Sequence, residues 1–221
     1  MVGTLGFTDD DYEEYKAVGE IKVTQYRMHY IENNGVNKFE LFDETNEGLE
    51  LYQTVIKPML DSDWLDETLQ GDLQLVTHLA VDSAHRGHGL GLFMLEAADN
   101  VINGHMSAQA IKPWPLQFDL ILGRSNNFGF PDPDPSYFAG NGLSGDAKVA
   151  FDAARAKISA YYSRLGFKQI TGDWMFRWNG RANPTLSQAM AALKSPPTVF
   201  ASALAQARAL SSRNSYFDDS Y

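Results

Sequence analysis

The sequence predicts an α/β fold: a mixed, mostly antiparallel central sheet that contains one parallel β-α-β unit and carries helices on both faces. Three observations carry this. The run Leu73–Val81 reads as a strand, and it leads through the glycine-rich joint Val81–Gly91 into a helical pattern over Leu90–Ile102. A further apolar run at 115–122 follows after a connection long enough for a crossover, which makes the pair parallel and right-handed. Residues 21–43 and 167–178 each read as an antiparallel hairpin.

Taken in order, residues 8–20 are densely acidic, and Thr8 or Asp9 is placed to cap a short helix; a loose arm fits the segment equally well. Ile21, Val23, Tyr26, Met28 and Tyr30 alternate as a strand. Asn33-Asn34-Gly35 signals a turn, and Phe39–Phe42 reads as the returning strand. Leu49, Tyr52, Val55 and Ile56 have helical spacing, with Pro58 expected to end or kink that helix. Asp61-Ser62-Asp63 would open a second short helix over 62–69. In Leu73–Val81, Leu73, Leu75, Thr77, Leu79 and Val81 alternate onto one face and Gln74, Val76, His78 and Ala80 onto the other. Both faces are mostly apolar, so a central strand covered on both sides is expected. Residues 125–147 are rich in Gly, Pro and Asn and read as a long loop. Val149–Leu165 reads as a helix ended by Gly166, followed by strands at 167–170 and 174–178. Beyond it, 185–193 and 198–210 read as alanine-rich helices split by Pro196-Pro197, with a polar tail. The expected organisation is one domain over 1–180, with a divergent N-terminal half, and a helical extension over 181–221 that could serve as an accessory element or a homodimer contact.

Composition narrows the function. The chain has 221 residues, a 44% hydrophobic fraction and no cysteine. That excludes disulfides, thiolate nucleophiles and cysteine metal sites. Neither a transmembrane run nor a signal peptide is read, and a cytoplasmic location is expected. The histidines show no metal-ligand spacing. The net charge is −10 and unevenly distributed: residues 1–70 hold 16 acids and 5 bases, residues 71–221 hold 12 and 13. An acidic first third argues against nucleic acid as a partner, and it suits a cationic ligand if the acids line a cleft.

The joint itself admits two readings, a structural glycine turn or a nest of amides for a phosphate-bearing ligand. It lacks the lysine of a P-loop, since Leu92 follows Gly91, and it lacks the third glycine of a dinucleotide fingerprint. What remains is an anion site in general form: small residues that let amides point inward, the positive end of the following helix, and Arg86.

Arg86-Gly87-His88-Gly89-Leu90-Gly91, directly after Leu79-Ala80-Val81, resembles the pyrophosphate-binding motif of the GCN5-related N-acetyltransferase superfamily. Tyr162-Ser163-Arg164-Leu165-Gly166-Phe167 resembles the tyrosine-bearing helix end found later in that superfamily. The resemblance covers about 73–180. It implies a sheet splayed into a V-shaped cleft and acetyl-CoA as acyl donor. The pyrophosphate would be held by amides around Arg86, Gly87, His88, Gly89, Leu90 and Gly91, and the pantetheine arm would lie along Leu79, Ala80 and Val81. It further implies direct transfer to a primary amine in a ternary complex, with Tyr162 as the acid, or Tyr161 if the helix register is one residue off. A tyrosine, with a reference pKa near 10, can donate to a forming thiolate without being ionised at rest.

His78, on the key strand, is one candidate base; Asp72 or another acid of the first third acting through water is another. The sequence departs from the family where an asparagine commonly precedes the tyrosine by seven residues. Arg155 stands there, and it or Lys157 is expected to face either the CoA phosphates or solvent instead. The hairpin-before-helices order of the first third is a second departure. A non-catalytic CoA-binding or interaction module is the alternative reading.

Overall fold

The computed structural model describes residues 2–9, 12–61, 71–102, 106–115, 138–139, 142–143, 145–179, 181–191 and 193. Its centre is a six-stranded sheet in the order β1-β2-β3-β4-β8-β7. These strands are β1 (Val2–Asp9), β2 (Tyr12–Tyr26), β3 (Asp72–Val81), β4 (Met106–Ile111), β7 (Lys168–Thr171) and β8 (Trp174–Trp178). Only β3 and β4 run parallel; the other neighbours are antiparallel. A two-residue hairpin, β5 (Phe138–Ala139) and β6 (Gly142–Leu143), stands apart from this sheet.

Helices cover both faces. On one lie α1 (Met28–Asn33), α2 (Lys38–Phe42), α3 (Asn46–Leu51) and α4 (Lys57–Asp61). Their Ile31, Phe42, Leu51 and Met59 pack with Tyr26, Leu73, Leu75, Trp174, Phe176 and Trp178 of the sheet. On the other lie α5 (Leu90–Ile102), α6 (Gly145–Ser163) and α7 (Leu186–Ala191). Leu92, Leu95, Tyr162, Leu186 and Met190 pack there with Ile21, Val23, Val76, Ile111 and Met175.

The acidic segment expected as a capped helix or arm is strand instead, and the N-terminal hairpin is β1–β2 rather than 21–43. Residues 39–42 form α2 because the Asn37 side chain accepts from the Phe39 amide, 3.1 Å, and caps a helix where the apolar run alone suggests a strand. Thr45 caps α3 in the same way through Gly48, 3.0 Å. Pro58 does not end the following helix. A widened turn, Tyr52–Ile56, in which Lys57 N–H reaches back to Tyr52 O, stands immediately before it. That turn gives room for a ring that would otherwise press on the carbonyl four residues back. The helix expected at 62–69 and the strand expected at 115–122 lie outside the described residues, as do most of 125–147 and all of 198–210.

The parallel partner of β3 is Met106–Ile111, not 115–122. Ala108 and Ala110 lie opposite Trp178 and Phe176, so the large aromatics of β8 fill the volume that small residues leave. On the opposite face a polar seam joins the sheet to α5. Gln109 donates to the Gln74 amide oxygen and to Leu95 O (3.2 Å), and Gln74 donates to Ala98 O (3.3 Å). Arg177 meets Glu96 at 2.8 Å and Asp99 at 3.8 Å. All these amide and guanidinium groups are buried, where polar groups persist only when paired.

One irregularity decides how the site is built. Along β2–β3, Lys22 pairs with His78 but Val23 pairs with Val76, so Thr77 is an extra residue in β3. Its hydroxyl donates to Lys22 O at 3.4 Å. A bulge of this kind flips every later side chain to the other face. Leu73 and Leu75 therefore face α1–α4, whereas Leu79 and Val81 face α5–α7. The simple alternation expected from Leu73 to Val81 fails at Thr77.

Candidate functional site

The strands part at the same place. The β3–β4 ladder ends at Val76–Ile111, immediately before the bulge, while β3 continues along β2 to the Gly19–Val81 pair. After Ile111 comes Lys112-Pro113-Trp114-Pro115, and Pro113 has no N–H with which to extend a ladder. Among the described residues, 77–81 thus have a ladder neighbour on the β2 side alone. Lys112 pins the departing chain to α3, its ammonium 2.6 and 2.9 Å from the two Glu50 oxygens and 5.6 Å from the Trp114 ring centre.

Val81 leads into a turn that the sequence caps itself. Asp82 N–H donates to Val18 O at 2.8 Å, and its carboxylate accepts from the Ala84 amide at 2.8 Å, starting a short 3-10 turn over Ser83–His85. Arg86 Nε then donates to Val81 O at 2.9 Å, folding the loop back on the strand end. Desolvation lowers the Arg86 pKa and Asp82 opposes it; a guanidinium stays charged throughout. Gly87 and Gly89 have φ of +81° and +84°, a region that side chains strongly disfavour, and between them they turn the chain into α5. Around Gly87 a β-carbon would meet nothing within 4 Å. At Gly89 one would lie 2.7 Å from Leu193 Cδ1 and 3.0 Å from Met190 Cε, so the chain just after α6–β8 closes over the loop. The first residues of the expected C-terminal extension are therefore part of this site's support. The first backbone bond of α5, Phe93 N to Gly89 O (3.0 Å), leaves the amides before it without carbonyls in the helix.

A pocket of about 260 Å³ opens on this loop. It brings together Leu79, Val81, Arg86, Gly87, Gly89, Leu90, Gly91 and Tyr162 from the sequence-based set, with His85, Trp114, Ile158 and Tyr161 added. Tyr162 is 8% exposed and packs beside Phe167, ring centres 6.1 Å apart. Burial pushes its phenol far above the ordinary value, and the neighbouring Tyr161 adds to this, so it is a neutral hydroxyl at any physiological pH. Tyr161 Oη accepts from the Leu92 amide at 3.2 Å. Burial raises its pKa as well, against the pull of the Leu92 amide, Arg164 and the Gly91 amide.

Five expected residues stand outside this lining. Ala80 is buried in the sheet. His88 is exposed, with Nδ1 3.3 Å from His85 O. Arg155 is taken up by Asp173 of the β7–β8 turn and by Asp152, 3.2 Å, within α6. His78 lies, through the Thr77 bulge, on the sheet face opposite the pocket, opposite Lys22 in the ladder; Lys22 is itself 3.2 Å from Glu20. Asp72 is buried at the far end of β3, accepting from Gln25 at 2.7 Å. The sequence pattern does not single out Trp114, because it places the parallel partner of β3 at 115–122, beyond the true β4. Two prolines flanking a tryptophan just after the true strand are the signal that would have found it. Tyr161 is the alternative acid of the sequence reading, and Ile158 falls with Phe151 and Tyr162 on the apolar stripe of α6 at helical spacing.

Comparisons with protein-family models, with curated proteins and with solved structures find no match to this chain. At the level of topology, a mixed sheet with one parallel pair amid antiparallel strands loosely resembles a GCN5-related fold, and it is compatible with α/β folds that bind nucleotides or CoA. Among the described residues no helix is long and apolar enough to cross a membrane, and no group of acids and histidines is placed to hold a metal ion.

Proposed function

We propose that the protein is a cytoplasmic acyltransferase of the GCN5-related kind, moving an acetyl or other acyl group from acetyl-CoA to a primary amine. One observation carries the reading: a single pocket is lined by Arg86, Gly87, Gly89 and Gly91 of the loop, by Leu79 and Val81 of the strand end, and by Tyr162. The loop suits a pyrophosphate. It presents two left-handed glycines, open space at Gly87, the Arg86 cation and the positive end of a 13-residue helix. A volume of about 260 Å³ fits part of such a donor, and the rest would lie along the surface.

In this reading the amine nitrogen attacks the thioester carbonyl carbon and the carbon–sulfur bond breaks. The backbone of β3 beyond Val76, left without a β4 partner, supplies amides for the developing oxyanion. Tyr162, held protonated by burial, donates to the departing thiolate. The amine proton leaves on the opposite sheet face, where His78 is the base we favour, with Glu20 on the neighbouring strand acting through water as the other route. The acid-rich first third favours a cationic acceptor.

The test is thiol release from acetyl-CoA with a panel of amines. Tyr162→Phe is expected to lower kcat about 100-fold or more while leaving KM for acetyl-CoA nearly unchanged. A second reading, a CoA-binding module without transfer, draws support from Arg155, which faces Asp173 where the family commonly offers an asparagine to the cofactor. That reading holds if CoA binds, no amine is acylated, and Tyr162→Phe behaves as wild type.

A further inference from the structure

We infer that the Tyr161 hydroxyl occupies, in the ligand-free protein, the Leu92 helix amide that a bound pyrophosphate would otherwise take, so that Tyr161 sets how tightly the donor binds. The inference rests on the donor-site reading above.

The amides of Leu90, Gly91 and Leu92 begin α5 and lack carbonyl partners within the helix. Such amides are the strongest backbone donors in an anion cradle of this design, because they add to the positive end of the helix. In this protein they are not all open. The Leu92 amide donates to Tyr161 Oη at 3.2 Å. A β-carbon at Gly91 would stand 3.4 Å from both Tyr161 Cε1 and Oη. Tyr161 therefore packs directly against position 91, where a methyl group would make ordinary van der Waals contact with it, whereas the glycines at 87 and 89 serve the backbone turn. Tyr161 is held in place by the Arg164 guanidinium, 5.9 Å from its ring centre, and by Tyr162 on the other side. It lines the same pocket as Arg86, Gly87 and Gly89.

The consequence is a competition. A phenol oxygen is a neutral acceptor, and a phosphate oxyanion is a stronger one for the same N–H. An entering pyrophosphate either displaces the phenol or forgoes that donor. Either way the tyrosine hydroxyl lowers affinity by roughly the net worth of a hydrogen bond, about 2-fold to 10-fold. Tyr161 is thus a positioning residue for the donor, acting through the Leu92 amide, and is distinct in role from Tyr162 beside it.

Isothermal titration with CoA and with inorganic pyrophosphate, on wild type and Tyr161→Phe, tests this. The variant is expected to bind both ligands about 2-fold to 10-fold more tightly. Wild type that binds while Tyr161→Phe binds equally or more weakly overturns the inference and leaves the donor site standing. No binding to either protein overturns the donor-site reading and this inference with it. Backbone amide shifts of wild type on titration with pyrophosphate provide a measurement that needs no variant. Gly91 and Leu92 are expected to move together with Gly87 and Gly89; movement confined to Gly87 and Gly89 contradicts the competition.

Discussion

Gly87 and Gly89 offer a paired experiment on the loop. Both have left-handed backbones, φ +81° and +84°, so alanine at either site incurs the same conformational cost, about 1–2 kcal/mol. They differ in surroundings. The new methyl at Gly87 meets open space, whereas at Gly89 it would lie 2.7 Å from Leu193 Cδ1 and 3.0 Å from Met190 Cε. Overpacking of this kind adds about 1–3 kcal/mol, and here the lower part of that range applies because both clashing atoms are tips of flexible side chains. Gly87→Ala is therefore expected to cost about 1–2 kcal/mol and Gly89→Ala about 2–4. For a chain of this length each kcal/mol lowers Tm by about 2–4 °C. Urea unfolding followed by far-UV circular dichroism, with unchanged m-values, gives both numbers. Equal costs at the two positions, or a larger cost at Gly87, would refute the packing of Met190 and Leu193 over the loop.

Two further expectations follow from the sheet. Arg177→Met leaves Glu96 and Asp99 facing a buried surface with no cation, at a cost of about 3–5 kcal/mol. The Asp99 carboxyl is already raised, by burial first, against Asn179 and Arg177. A raised folded-state carboxyl contributes stability below its unfolded pKa and loses it as pH climbs through the folded pKa. The deficit of Arg177→Met relative to wild type should therefore shrink as pH falls from 8 to 5 in thermal melts, and a deficit that grows on acidification would contradict the burial of this trio. Deleting Thr77 should leave the protein folded, because Val76 and His78 then stand directly opposite Val23 and Lys22 and Leu79 and Val81 keep the α5–α7 face, and Thr77→Ala should cost about 1 kcal/mol or less. A deletion that fails to give soluble, cooperatively melting protein would mean that Thr77 is not an extra residue in the β2–β3 ladder.

The parts of this architecture that were legible in the sequence are those where local pattern and tertiary environment agree. Leu73–Val81, Leu90–Ile102 and the 167–178 hairpin have the right period, the right punctuation and glycine at the right joints. β4 was not legible. Met106-Ser-Ala-Gln-Ala-Ile carries one β-branched residue, and its alanines make sense only once Phe176 and Trp178 are seen to fill the space beside them. The β1–β2 hairpin was hidden by acids that read as a helix start, and α2 by an apolar run whose conformation is decided by the Asn37 cap. The bulge at Thr77 leaves no trace in residue type, yet it determines which half of β3 faces the pocket. At the site, the loop and Tyr162 were readable from motif spacing. Trp114 required the position of β4, and the engagement of Tyr161 with the Leu92 amide required coordinates.

The central claim is that the loop after β3 holds the pyrophosphate of an acyl-CoA donor beside Tyr162. A crystal structure with acetyl-CoA tests it most directly. The account predicts pyrophosphate oxygens within hydrogen-bond reach of amides between Arg86 and Leu92, and the thioester in the gap where β3 and β4 part, within reach of the Tyr162 hydroxyl. Acetyl-CoA bound elsewhere on the protein, or an empty pocket at saturating ligand, would contradict it.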